Sequence, residues 1–283
     1  MLNYNNIRIS YQEIKVQTSF LRPIFGVLIA CLMVFLVSLT SCEKVVDLQL
    51  NDSSPRVVIQ GNIYDQTGPY YVKISKSVTF DESNTYPPVS GATVQITDNV
   101  NQTEVLTESV AGTYKTSKLR GIAGRTYSLN VKIGSNTFVS TAYMPFAVYI
   151  DSLYFATSPF SGEKAATIRF NDPPALVNFY RLVYFVNNVQ QKEFYILDDE
   201  LFQGASIKYA LLPRGSGLTL VKGDNVTVWL ESIDKSVYEY FRTAGHENGQ
   251  STSPSNPVSN ISNGALGYFN ACSVRKISSV VNK

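Results

Sequence analysis

From Pro55 onward the sequence alternates with a period of two, and that alternation commits the chain to half-buried strands. Thr126 to Ile133 places Tyr127, Leu129, Val131 and Ile133 on one face and polar residues on the other. Gly134-Ser135 then reverses the chain into Asn136 to Ser140. A glycine there can supply the positive φ that a tight hairpin needs. Tyr70 to Ser75 and Ala92 to Thr97 alternate in the same way, and Arg56 to Tyr64 is rich in β-branched residues. About six strands in some 90 residues predict an immunoglobulin-like or transthyretin-like sandwich over 55–145.

The pattern resumes after Pro145 and predicts a second β-rich domain over 146–283. Val148 to Phe155 and Ala165 to Phe170 read as strands, and Phe179 to Val186, apolar on both faces, reads as a central one. Val226 to Ile233 carries Trp229, the single tryptophan, expected in the core. Asp234 then precedes Val237, Tyr240, Phe241 and Ala244 at helical spacing. Its carboxylate can accept from free backbone amides, so a capped helix is expected near 235–247, with His246 at its end. Gln250 to Asn263 is a polar loop, and Gly264 to Val274 a closing strand that includes Cys272. The fold class is mainly β: two consecutive sandwich-like domains, the second with one helix.

The first 41 residues carry a different signal. Arg22 precedes an uncharged run of 14 from Ile24 to Val37, and Leu39-Thr40-Ser41-Cys42 closes it. A bilayer crossing needs about 20 apolar residues. The shorter run, with a basic segment before it and small residues after it, has the layout of a secretory signal. Leu39 to Cys42 resembles a bacterial lipobox, which makes Cys42 the first mature residue, lipidated on its thiol and amino group. The alternative is a single-pass anchor. Residues 42–54 then form a lipidated linker, and since more than one acyl chain anchors stably, the mature chain stays on a membrane. Glu43 occupies the place where an aspartate commonly signals inner-membrane retention, which favours the outer membrane.

Charge and chemistry narrow the function. The chain has 24 Lys and Arg against 22 Asp and Glu, and the excess is Arg8, Lys15 and Arg22 against Glu13 in the leader, leaving 21 of each. A neutral mature chain is not built to release counterions from nucleic acid. Three cysteines make neither a disulfide scaffold nor a four-cysteine zinc site. The one histidine, His246, lacks the second histidine of a zincin helix, and no Gly-x-Ser-x-Gly elbow or phosphate-binding glycine loop occurs. Cys272 could act as a nucleophile if His246 lay beside it; otherwise it is a small buried residue. Asp198-Asp199-Glu200 could hold calcium or, with a partner elsewhere, perform glycosidase acid/base work, but neighbouring carboxylates in a strand point to opposite faces and cannot form the facing pair that glycoside hydrolysis needs, and a solvated turn is expected rather than a metal site. No cofactor, metal or catalytic residue is assigned.

Aromatic residues are the remaining signal: the mature part keeps 16 of 18 Tyr and 12 of 15 Phe. Sheet propensity accounts for most of them. Tyr70, Tyr71 and Tyr86, the last in a Tyr-Pro-Pro loop, are the candidate ligand or partner contacts, because loops on a rigid sandwich commonly meet partners.

Five stretches in order carry a family resemblance: Ser41 to Leu48, Pro55 to Gly61, Pro88 to Val94 with Gly124 to Tyr127, Pro257 to Ile261, and Gly264 to Phe269. Together they resemble the Bacteroidota lipoproteins grouped as domain-of-unknown-function family 4249. The resemblance implies an outer-membrane lipoprotein, often encoded beside a TonB-dependent receptor, with no catalytic residues to carry over. Gly91 to Val94 and Gly124 to Tyr127 are also similar to carboxypeptidase-regulatory-like modules, again sandwiches. Glu43 followed by Lys44 leaves the periplasmic and cell-surface faces both open, and Asp151-Ser152-Leu153 is similar to an O-glycosylation acceptor. The expected function is non-enzymatic: an accessory binding partner of a TonB-dependent nutrient receptor. The rivals are a structural or adhesive surface module and, further behind, a hydrolase using Cys272 or the acidic cluster.

Overall fold

The computed structural model describes residues 55–78, 85–157, 162–174, 176–212, 218–245 and 256–282, all within one unit from Asp52 to Lys283. Leu39 to Cys42, read as a lipobox in the sequence, and His246 lie outside the described residues. Among the described residues, fifteen strands and one helix follow in order. They are β1 Val57–Tyr64, β2 Tyr71–Lys76, β3 Thr93–Asp98, β4 Thr103–Val105, β5 Thr107–Val110, β6 Thr113–Lys115, β7 Thr126–Ile133 and β8 Asn136–Tyr143. Then come β9 Ile150–Thr157, β10 Lys164–Asn171, β11 Phe179–Val186, β12 Val189–Asp198, β13 Ser206–Leu211, β14 Asn225–Ile233, α1 Lys235–Gly245 and β15 Leu266–Val280.

Alternation builds the strands as the sequence predicts. In β7 Tyr127, Leu129 and Val131 are buried between exposed Ser128, Asn130 and Lys132. β8 pairs with it from Ile133↔Asn136 onward, and Gly134 turns the corner at φ 58°. Short β4, β5 and β6 and the longer β12 and β13 add to the strands legible in the sequence.

The strands form an eight-stranded sheet, order β12-β11-β14-β15-β1-β2-β6-β5, a four-stranded sheet β4-β3-β7-β8, and a three-stranded sheet β13-β10-β9. Two sandwich cores result. The first gathers Ile59, Ile63, Val72, Ile74, Val94, Ile96 and Leu129, and is completed from the far end of the chain by Ile261, Ala265, Phe269 and Ala271. The second packs Ile168, Phe170, Tyr180, Leu182, Tyr184, Val226, Val228 and Leu230.

The two lobes share β15. Its first half runs parallel to β1, from Val58↔Leu266 to Tyr64↔Cys272, and its second half runs antiparallel to β14, from Ser232↔Ser273 to Asn225↔Val280. Gly267 makes the parallel contact possible: it sits at φ 94°, and a Cβ there would meet the Ile59 carbonyl oxygen at 2.0 Å. Nothing in strand spacing signals that the last strand belongs to both lobes.

Helix α1 covers the outer face of the long sheet at the junction. Asp234 caps it, accepting from Val237 N at 2.9 Å, with its other oxygen accepting from Tyr143 N at 3.0 Å. Val237 and Phe241 pack onto Ile233, Cys272 and Val274. Trp229 is a correction to the sequence reading: it is only partly buried and lies on this helix-side face, not in a sandwich core. Its ring packs against Phe185 at 4.8 Å and under Lys276 Nζ at 3.8 Å.

Candidate functional site

The sequence-derived contact residues separate in space. Tyr70 corrects the expectation: it is 3% exposed, its hydroxyl donates to the Gln66 carbonyl and accepts from Gly121 N at 3.0 Å. Val72 and Ile74 point into the core, so parity sends Tyr70 inward and Tyr71 outward. Tyr71 is 45% and Tyr86 is 55% exposed, but they lie at opposite ends of β2. Tyr71 opens the strand, whereas the loop holding Tyr86 joins its other end, where Lys76 N donates to the Pro87 carbonyl at 2.9 Å. At ~3.3 Å per residue the two ends are roughly 16 Å apart.

The candidate catalytic groups have structural partners. Cys272 is fully buried on the helix-side face, and burial, with the Glu231 charge behind it, pushes its thiol well above the ordinary range. It is a thiol, not a thiolate. The acidic triplet ends β12 at Asp198 and turns through Asp199 and Glu200, but Asp199 departs from the solvated reading: it is 2% exposed and accepts from Asn178 N at 2.8 Å. Asp198 accepts from the Tyr238 hydroxyl at 2.6 Å, which ties β12 to α1. Asp151 accepts from Asn171 Nδ2 at 2.8 Å, and Ser152 lies on β9 opposite Arg169.

Beneath α1 the sheet carries a buried ion pair. Arg181 Nη1 meets Glu231 Oε2 at 3.0 Å, with the two side chains 11% and 1% exposed. Burial alone would pull the guanidinium down; the Glu231 charge reverses it and leaves Arg181 raised. The Phe241 ring lies 4.1 Å from the guanidinium carbon. Tyr64 is beside the pair, and its hydroxyl is pushed up by burial and then by Glu231. These contacts fix the helix to the sheet.

Two surfaces among the described residues are of interest. One is a pair of stitched loops at the end of the second lobe. Asp172, 3% exposed, accepts from the Tyr180 hydroxyl and from Gly204 N at 2.9 Å, while Phe202 N donates to the Asp199 carbonyl at 2.8 Å. Gln203 Nε2 reaches the Leu176 carbonyl at 3.4 Å. This scaffold holds out Leu176, Val177, Leu201 and Phe202 at 63%, 70%, 85% and 47% exposure. Sequence reasoning missed the patch, although Pro173-Pro174 before Leu176-Val177 marks a stiff loop carrying apolar residues.

The other open surface is the outer face of β1, β2 and β6, beside α1. Register aligns Asn270, Asn62, Tyr71 and Lys115 in one row across four strands, and Tyr268, Gln60, Lys73 and Thr113 in the next. Asn270 Nδ2 donates to Asn62 Oδ1 at 3.3 Å, and Asn62 Nδ2 to the Tyr268 hydroxyl at 3.4 Å. Tyr268 is held by the helix, with ring centroids 4.8 Å from Tyr240 and 4.9 Å from Phe241.

A family model described as a domain of unknown function (DUF4249) matches residues 43–278. A comparison with curated proteins finds no match. Among solved structures, a two fibronectin type-III domain segment from chicken tenascin is 11% identical, covers 82% of this chain and 100% of that chain, and superposes with a TM-score of 0.22.

Proposed function

The chain belongs to the DUF4249 family, and from that membership we propose that it is a non-enzymatic, lipid-anchored protein of the outer membrane that serves as an accessory binding partner of a TonB-dependent nutrient receptor. The leader and Leu39 to Cys42 supply the anchor in this reading. The observation that carries it is the loop pair of the second lobe. Leu176, Val177, Leu201 and Phe202 face water on loops whose backbone is pinned by buried Asp172 and Asp199. Contiguous exposed apolar surface is costly in a free protein and marks an interaction surface. A pinned backbone also loses little conformational entropy on docking.

The test is co-purification from native membranes in mild detergent. An outer-membrane barrel should accompany the wild-type chain, and Leu201→Glu/Phe202→Glu should lose it at unchanged melting temperature. If no barrel accompanies the wild type, or the variant retains it equally, the reading fails. The adhesive alternative predicts instead that deletion impairs attachment while substrate uptake persists.

A further inference from the structure

We propose that the outer face of β1, β2 and β6 binds an acidic oligosaccharide, separately from any receptor contact made by the second lobe. Three properties of the face lead there. Tyr71 projects from it as an open aromatic ring, and such a ring offers an apolar plate with a polar rim, suited to the aliphatic face of a pyranose. Gln60 and Asn62 lie across β1 from Lys73 and Tyr71. A primary amide donates and accepts side by side, the pattern that adjacent sugar hydroxyls complement. The bonds from Asn270 and to Tyr268 hold the Asn62 amide in one orientation, which leaves an Nδ2 hydrogen and a lone pair on Oδ1 for a ligand.

Charge selects the acidic class. Lys115 lies directly opposite Tyr71, and Lys73 follows Tyr71 two positions on along β2. Both are exposed, and neither has an ion-pair partner among the described residues. The outward residues of β1, β2 and β6, together with those of β15 from Leu266 to Cys272, include no Asp or Glu. Two like charges gathered around one ring without a counter-charge favour an anionic group seated beside the sugar that covers it.

Other occupants fit less well. Lysine is depleted in protein interfaces, and two cations are far fewer than phosphate-backbone binding requires. Helix α1, packed on Tyr268, walls one side of the face, so a ligand lies along the strands next to it.

The test is titration calorimetry on the full chain in detergent with polygalacturonate, with neutral dextran as comparison. Polygalacturonate should bind, and dextran should bind at least about tenfold more weakly. Lys73→Gln/Lys115→Gln should weaken polygalacturonate by about tenfold and remove most of its salt dependence. Tyr71→Ala should cost about fivefold while Tyr71→Phe stays within about twofold, since the ring face is what the sugar meets. Lys132→Gln, an exposed lysine on β7, should change nothing. Absence of binding, equal affinity for dextran, or full affinity in Tyr71→Ala overturns the proposal. So does a salt-sensitive loss of binding to phosphatidylglycerol vesicles on Lys73→Gln/Lys115→Gln without a loss for polygalacturonate, because the lipid anchor contributes equally to both chains.

Discussion

Replacing Glu231 by Gln keeps the shape of the side chain and removes its charge, which leaves Arg181 ionised beneath α1. The guanidinium has little water to turn to, because its side chain is 11% exposed and its Nε has no partner. Opposite charges ~4 Å apart at an effective dielectric of ~20 attract by about 4 kcal/mol. Breaking a buried pair from one side typically costs about 3–5 kcal/mol. The Phe241 ring 4.1 Å away is present in both chains and cancels in the difference, but the glutamine amide oxygen can still accept from the Arg181 guanidinium, which recovers about 1 kcal/mol. The expected loss is therefore near the low end, about 3 kcal/mol. In a domain of this size that lowers the melting temperature by roughly 6–12 °C. Urea titration should show a lower midpoint at unchanged slope. The companion Arg181→Met/Glu231→Leu removes both charges at once and should lie within about 1 kcal/mol of wild type. A Glu231→Gln chain as stable as wild type, or a double variant less stable than the single, would refute the reasoning.

Further outcomes follow from other parts of the fold. Gly267→Ala should lower the yield of folded protein and the urea midpoint sharply, because the added Cβ meets the Ile59 carbonyl at 2.0 Å and the φ of 94° is strained for any other residue. Stability should fall as pH rises from about 9, because the thiol and phenol groups ionise first in the unfolded chain. Cys272, Tyr64 and Tyr180 are all raised in the fold, and Tyr184 is pushed up to about 12, so the loss continues through that range. Melting temperature against pH checks it, and a flat profile between pH 9 and 11 would contradict it. Asp234→Ala should cost about 1 kcal/mol through the lost cap, read in the same urea assay. Mass spectrometry of the mature amino terminus should find an acylated Cys42; an unmodified, uncleaved chain would remove the anchor.

Strict alternation made β2, β3 and β7 legible, since a buried face imposes a period of two on sequence, whereas β1 showed by its β-branched residues and β8 by the turn at Gly134-Ser135. β12 escaped because its first half is polar and borders water at a sheet edge, so the inward residues Tyr195 and Leu197 come too late to show a period. Tyr70 and Trp229 were open to misreading for one shared reason: composition says that a ring is present, and only strand parity says where it points. Among the described residues, the stretches carrying the family resemblance include joints of the first lobe. Tyr127 ends such a joint, its hydroxyl accepting from Ile122 N at 2.7 Å, and Arg125 pairs with Asp98 at 2.6 Å. Asn260 is another, accepting from Phe269 N at 2.9 Å and donating back to the Phe269 carbonyl at 2.8 Å. The two open surfaces were illegible because neither is a motif. One is assembled by register from four strands, and the other by two loops joined through buried carboxylates.

The strand shared between the lobes has a consequence for the order in which the protein can form. A chain synthesised from its amino end delivers β1 and β2 early and β15 last. Until residues 266–272 arrive, β1 presents an unpaired edge and Phe269 is missing from the first core. An edge left open in that way invites pairing with other chains. The first lobe therefore waits for nearly the whole polypeptide, and whatever shields its edge in the meantime is part of how this protein reaches its native state.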